Sequence, residues 1–359
     1  MDERIFPYKA GCPIPEWDLA HRLSTRAPVG PECKDTGTIF RTSSIFMDVS
    51  DQPYRHRQML AGSTIVAVAA VVGFAVVAHY IFSHPKAEVS TGVVCVWLLL
   101  ISAICGFSYV AYKFGRDEFF ALKRRPIRFN RKEQKIYTIR RRRFFAKPGE
   151  GDVTWEIPWN ADSIFCIHKN NKATDDAYHI RHYEVDAQGN VVRAFAIGRQ
   201  WEGREEVEGL LSQWNYWCEY MNHGPADLPA PSLFFGERES LRDSFLFCVY
   251  GLGFGSSISL YIIMSPVIVL LTCFRLLALW TCRDPVWPAS VEAVSAIEPG
   301  DIHDQPRGAT PVGWAQTGMA CHRRQWPMDP KRPVANWQGE QYPAKNALLW
   351  AADIPPATH

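Results

Sequence analysis

The chain has 359 residues, a formal net charge of +2 and ten cysteines. That length leaves room for two or three domains. The near-zero charge averages very different regions and indicates no class of partner, while cysteines scattered without a CxxC pair exclude a disulfide framework.

Residues 1–58 are polar, punctuated by proline and weakly patterned, which predicts an irregular arm with one short strand at 38–46 (TIFRTSSIF). The opening MDER is charged and no apolar core follows until residue 59, which argues against a cleaved signal peptide. Residues 59–82 and 91–112 are then apolar and free of charge. Each run exceeds the roughly 20 residues a helix needs to cross a bilayer, so 59–112 reads as a transmembrane hairpin. From 113 to 147 the chain carries 14 Lys/Arg against 3 Asp/Glu, while the turn at 83–90 holds only Lys86 and Glu88. The positive-inside rule therefore puts the turn outside and both ends in the cytoplasm. Small residues spaced by four, Ala69/Gly73 and Ser102/Gly106, predict close helix packing within the hairpin, with dimerisation as the alternative.

Residues 113–223 change character. The stretch 127–139 is two short alternating runs around a polar turn, a hairpin signal. Further strands are predicted at 153–158, 163–168, 178–186 and 191–198, the last two joined by a turn containing Gly189-Asn190. A helix follows over 203–221, with Val207, Leu210, Leu211, Trp214, Trp217, Cys218 and Met221 on one face. Short antiparallel strands followed by one amphipathic helix is the element order of a pleckstrin-homology-like barrel capped by its terminal helix. The expected fold class is thus an α+β membrane protein: a helical hairpin, a cytoplasmic antiparallel β domain of that kind, and a further apolar helical segment.

A Gly/Pro-rich linker is expected over 224–244, and 245–282 is again apolar. Its 36-residue core, 245–280, is longer than one crossing and shorter than two. It either crosses once with a kink at Pro266 or folds back there; folding back is preferred because it keeps Cys282 and Cys321 on the reducing side. Arg275 inside it is either a functional intramembrane charge or a residue that reaches back to the headgroups. The tail, 283–359, holds 11 Pro and 5 Trp without a helical or strand period, which predicts an extended segment that docks through its Trp residues.

The polybasic stretch offers candidate contacts for anionic lipid at Lys123, Arg124 and Arg125 and at Arg140, Arg141, Arg142 and Arg143. A topology signal is the plainer reading of the same residues. Nucleic acid is not an expected partner, because aromatic interleaving is confined to Phe144 and Phe145. His179 and His182 are three apart on a predicted strand and so face opposite sides. Cys166 and His168 share a face but make two ligands, too few for a closed metal site. Gly251, Gly253 and Gly255 lie in an apolar segment with no strand before them and no Lys after them, so helix packing explains them better than phosphate binding. No GxSxG, HExxH or P-loop motif occurs. The expectation is a non-enzyme with no cofactor and no metal. Trp155, Trp159 and Trp201, at predicted strand ends or loops, are the candidate anchors of a partner surface; core packing is the competing reading for Trp155.

The run Arg125-Pro-Ile-Arg-Phe-Asn-Arg131, continuing through Lys135-Ile-Tyr137 to Val153-Thr-Trp155-Glu156, resembles an uncharacterised group of bacterial inner-membrane proteins. These pair an N-terminal membrane hairpin with such a strand domain and are often encoded beside type VI secretion toxins. The resemblance spans about 55–280 in architecture and leaves out the N-terminal 50 residues and the tail. It implies a role in competition between bacteria: an immunity protein that neutralises a toxin acting at the inner membrane. It carries no catalytic role to any residue. Two alternatives stand beside it: an accessory protein that holds or loads the toxin for export, and a membrane scaffold whose β domain recruits a cytoplasmic protein or anionic lipid.

Overall fold

The computed structural model describes residues 10–29, 32–50, 52–83, 91–141, 152–170, 177–202, 207–252, 258–308, 310–323 and 325. Its β domain is two antiparallel sheets. In chain order the elements begin α1 (Glu16–Ala20), β1 (Arg22–Leu23), β2 (Ile39–Thr42) and β3 (Phe46–Val49). Two long helices follow, α2 (Gln52–Ser83) and α3 (Thr91–Glu118). Then come β4 (Ile127–Asn130), β5 (Lys135–Arg141), β6 (Asp152–Pro158), β7 (Ile164–Asn170), β8 (Ala177–Val185) and β9 (Val191–Glu202), closed by helix α4 (Val207–His223). One sheet has the order β2-β3-β4-β5-β6 and the other β1-β7-β8-β9. The strands expected from alternation are found in β4 to β9.

The N-terminal arm differs from its expectation. It is not an irregular appendage with one strand at 38–46. Ser43 and Ser44 turn the chain there, so that β2 and β3 form a hairpin, and β1 adds to the other sheet beside β7. Asp35 supports the entry: its buried carboxylate accepts from the Gly37 and Thr38 backbone N–H groups and from the Thr38 hydroxyl. Burial nonetheless raises its pKa above the ordinary value, outweighing those bonds. Since β3 pairs directly with β4, Val49 opposite Ile127, the long helices form an excursion between two neighbouring strands.

The core lies between the sheets and under α4. Phe129, Trp159, Phe165, Phe195, Trp214 and Trp217 meet there, with Ile180, Ile197 and Leu211 filling between the rings. Trp214 stands 5.3 Å from Trp159 and 5.2 Å from Phe165, and Trp217 stands 5.0 Å from Phe129. The apolar spacing along α4 is what delivers both indoles to one side. Gly198, at φ +75°, holds its backbone so near Trp217 that a Cβ would come within 2.6 Å of the ring.

Helices α2 and α3 contain runs of 27 and 25 residues (Arg57–Ser83 and Gly92–Arg116) long and apolar enough to cross a membrane. They pack on each other over much of their length, with Phe74 and Phe107 stacked at 5.8 Å. The predicted small-residue contacts are not the ones used: a Cβ at Gly73 or Gly106 would meet nothing within 4 Å. Close approach occurs instead at Gly115, against Thr64, and at Gly62, against Phe274.

The stretch expected to be a linker is partly core. Leu228, Leu233, Phe234 and Phe235 are buried, and Phe235 N–H donates to Ile39 O. The apolar segment then forms α5 (Leu241–Gly251), α6 (Ile258–Ile263) and α7 (Ser265–Thr281). Pro266 falls at the start of α7, where a missing N–H costs least. The tail also departs from the expected extended form, since it includes α8 (Ala289–Val294) and α9 (Gly313–His322). It does dock through tryptophan: Trp314 stacks on Tyr250 at 5.1 Å, and Trp287 lies under the Arg128 guanidinium at 4.8 Å. Trp326, Trp337 and Trp350 lie outside the described residues.

Candidate functional site

The chemistry of the chain concentrates where the helices meet the β domain. Val49, Ile127, Thr138 and Trp155 form one row across β3, β4, β5 and β6. The helical excursion leaves the sheet from this end, and so does the connection from β5 to β6. Arg140 pairs with Val153 and Arg141 with Asp152, two and three residues beyond the row and toward the helices.

At this base two ion pairs are buried. Arg275, in α7, has 0% exposure of its side chain and makes a bidentate bond to Glu239, Nε to Oε1 at 2.6 Å and Nη2 to Oε2 at 2.8 Å. Its Nη1 donates to Tyr54 O at 3.1 Å and to Gln58 Oε1 at 3.0 Å. The guanidinium lies 3.8 Å from the Phe247 ring centroid and 5.0 Å from that of Tyr54. Glu239 accepts further bonds from Tyr54 Oη at 2.8 Å and Ser244 Oγ at 2.6 Å. Burial alone would raise the Glu239 pKa; the charge and hydrogen bonds of Arg275 overcome it and hold the carboxyl below its ordinary value. Beside this pair, Arg57 stands 3.6 Å from the Glu118 carboxylate, donates to Leu122 O at 2.9 Å, and reaches Cys282 Sγ at 2.8 Å. One set of side chains thus fastens the start of α2, the end of α3, the foot of α5 and the foot of α7 to one another. Sequence reading singled out Arg275 alone. The usable signal for its partner was Glu239, the last carboxylate but one before the apolar run, since a buried guanidinium requires a carboxylate.

The basic residues named for lipid contact are mostly engaged. Lys123 Nζ bonds Asp284 at 3.1 Å, and its N–H donates to Arg283 O at 2.7 Å. Arg124 pairs with Glu237 at 3.2 Å and lies over the Phe40 ring at 4.9 Å. Arg125 is buried. Arg140 lies over Phe195 at 4.7 Å. An exposed pair such as Lys123 with Asp284 is worth about 0–1 kcal/mol, so the Lys123 head group exchanges partners at little cost, whereas Arg124 is largely buried against Phe40. For Arg141 the structure describes the backbone, in β5; Arg142 and Arg143 lie outside the described residues. Arg128, not singled out before, is held by Asp48 at 2.7 and 2.8 Å and lies 4.1 Å from the Phe46 centroid.

The tryptophans named as partner anchors separate. Trp159 is 3% exposed and belongs to the core, with its indole N–H donating to Asn222 Oδ1 at 3.2 Å; it offers no surface. It falls just past β6, which reads as a loop in sequence, yet the chain turns inward there to face α4. Trp155 is half-buried, edge-on to Phe195 at 5.4 Å and covered by Arg193 at 4.9 Å. Trp201 lies in β9 opposite Tyr178, and its side chain is outside the described residues. A recess of about 940 Å³, walled by Leu228, Pro231, Phe234 and Met319 and rimmed by Arg307 and Arg323, was not legible in sequence because its sides are remote chain segments.

The histidines follow the strand geometry. His179 and His182 are buried on opposite faces of β8. His179 stands 5.0 Å from His168, whose Nδ1 is 2.6 Å from Asp18 Oδ2; the same oxygen accepts from Tyr183 Oη at 2.5 Å. No group of three His, Cys, Asp or Glu with metal-ligand geometry occurs among the described residues. Burial pushes the Cys166 and Cys218 thiols far up, so neither is a ready nucleophile. Burial also lowers His182 to about 4, with Arg193 adding repulsion, and lowers His179 well below its ordinary value. For His182 the folded pKa lies below the unfolded 6.5, so its contribution is complete above pH 6.5 and is lost as pH falls toward 4, in total about 3 kcal/mol. Denaturant midpoints followed by tryptophan fluorescence should therefore drop between pH 6.5 and 4. The slope should flatten in His182→Gln, and an equal slope in that variant would exclude His182 as its source.

Together these features define a class: an α+β protein whose two-sheet domain carries, at one end, a helical hairpin long and apolar enough to cross a membrane. Within that class the chain belongs to the family of unknown function DUF6708, whose profile matches residues 104–299, from within α3 to just past α8. No curated protein and no solved structure matches the chain.

Proposed function

We propose that the protein is a non-enzymatic, multi-pass protein of the bacterial inner membrane that acts in interbacterial competition, as an immunity protein neutralising a type VI secretion toxin at the membrane. The observation that carries the membrane part is the hairpin. The apolar window of each long helix is only 6% buried within the fold, and an exposed apolar surface of this kind supports contact with lipid. The basic excess after α3 supports a cytoplasmic β domain. Two antiparallel sheets closed by α4 support the pleckstrin-homology-like reading. The competition setting rests on the sequence resemblance. Physically, a toxin that inserts into a bilayer is met early by a blocker already resident there, and a β domain fastened to the helices by buried ion pairs presents a stiff surface to it.

The test is a contest between a strain lacking this gene and its parent. Death of the deletion strain that depends on the parent's secretion apparatus is the expected result. Survival of the deletion strain, with loss of killing of a sensitive prey, replaces immunity by the accessory role in toxin loading. No change in either assay removes the secretion link and leaves the scaffold. For that scaffold reading, the partly exposed Lys123, just past the end of α3, supports anionic lipid as the recruited partner.

A further inference from the structure

We infer that α5, α6 and α7 form a re-entrant unit, which enters the bilayer from the β-domain side, leaves on that side, and has the exposed residues of α6 covered by lipid acyl chains; this rests on the membrane reading above. Helices α5 and α7 run antiparallel. Glu239, at the foot of α5, binds Arg275, near the end of α7, while Cys248, further up α5, bonds Thr272, further up α7. Both feet sit at one level. Arg275 holds Tyr54 O and Gln58 Oε1, which flank Arg57, the first residue of the apolar run of α2. Beyond α7, Arg283 exchanges backbone bonds with Ala121 and Lys123, just past the end of α3. Four helix ends therefore meet in one plane.

Above that plane the segment rises and returns. The 11 residues of α5 extend about 16 Å at 1.5 Å per residue, against a hydrocarbon core of about 30 Å. No charged residue occurs between Asp243 and Arg275. Toward the top, Ile258, Ile262 and Ile263 are exposed, the last two at 68% and 69%, and Val269 and Leu270 are exposed lower on α7. This surface continues the exposed apolar faces of α2, against which α7 packs through Gly62 and Phe274. The hydroxyls on α7 are satisfied internally, Ser265 on Ile262 O and Thr272 on Ile268 O, as hydrocarbon surroundings demand. Trp280, 82% exposed and next to last in α7, stands where an indole meets the headgroup boundary.

The experiment places single new cysteines in the full chain: Leu241→Cys and Val286→Cys at the two feet, Ile262→Cys at the tip, and Val72→Cys in α2 as control. A membrane-impermeant maleimide is applied to sealed right-side-out and inside-out vesicles, and labelling is read by mass spectrometry on each cysteine's own peptide, so native thiols stay in place. Both foot positions are expected to react from one and the same side, and Ile262→Cys and Val72→Cys to react only after detergent. Feet labelled from opposite sides, with Val72→Cys still protected, mean that the segment crosses and overturn the inference while the membrane reading stands. Ile262→Cys labelled without detergent, with Val72→Cys protected, also overturns it, because the tip then lies in water. Labelling of Val72→Cys without detergent sinks the membrane reading, and the inference with it.

Discussion

Glu239→Ala is expected to destabilise the protein by about 3–5 kcal/mol, the usual cost of leaving a buried charge without its partner. The truncation strands the fully buried guanidinium of Arg275, which cannot give up its proton, and removes the acceptor for Tyr54 Oη and Ser244 Oγ at the same time. The two substitutions that break the pair are not equivalent. Arg275→Met leaves a carboxyl that can become neutral by taking a proton, and it keeps two hydroxyl donors, so its cost should be smaller. The double variant Glu239→Leu with Arg275→Met should recover much of the loss, because apolar side chains replace a buried ion pair at little net cost. Thermal midpoints of the solubilised protein, together with protease sensitivity at the foot of α5, measure all three. A double variant no better than Glu239→Ala would show that hydrogen bonds rather than the stranded charge set the cost. There is a pH consequence too. Because the folded Glu239 carboxyl lies below its ordinary value, its contribution is present above the unfolded pKa, near 4.3, and is lost as pH falls through the folded one. That window lies at lower pH than the one assigned to His182.

The second large effect is expected at Trp217. Trp217→Ala should cost about 3–5 kcal/mol, since a fully buried indole leaves a cavity that the surrounding rings cannot close. Trp217→Phe should cost much less. The Trp217 indole N–H meets no acceptor among the described residues, so phenylalanine gives up packing volume while removing an unsatisfied buried donor. Trp214 is the informative contrast: its N–H donates to Ser24 O at 3.2 Å, so Trp214→Phe loses a bond as well as volume and leaves that carbonyl only the weaker Cys218 thiol as a donor. Denaturant unfolding of the three variants should rank Trp217→Phe as the mildest. If Trp214→Phe were equally mild, the bond to Ser24 would be contributing nothing.

Much of the β domain was legible because its signals are local. In β5 and β8 alternate residues face the core, and along α4 the apolar residues recur every three or four positions; each pattern is written within a dozen residues of sequence. The small N-terminal strands were legible only in part: the strand expected at 38–46 covers β2 and reaches β3, but the turn between them and all of β1 were missed. β1 is two residues long, and β2 and β3 four each, too short for a period, and their partners are distant: Leu23 pairs with Phe165, and Val49 with Ile127 across the whole helical excursion. Trp159 shows the opposite error. Its neighbours Pro158 and Asn160 read as a loop, and only the turn of the chain toward Trp214 carries it inside.

By itself the sequence determined where the long apolar helices lie, that a β domain capped by an amphipathic helix follows them, and that the third apolar run carries one charge, Arg275. These follow from composition and periodicity, which act over a few turns or a few strand residues. Tertiary structure alone decided that the N-terminal arm belongs to both sheets, that the helices emerge between adjacent strands, that Arg275 is neutralised by Glu239, and that both feet of the third apolar segment stand on one plane. Each is a contact between residues far apart in the chain. Such contacts form because buried donors, acceptors and charges must find complements, and many partners in the chain could meet that requirement until the packed fold selects one.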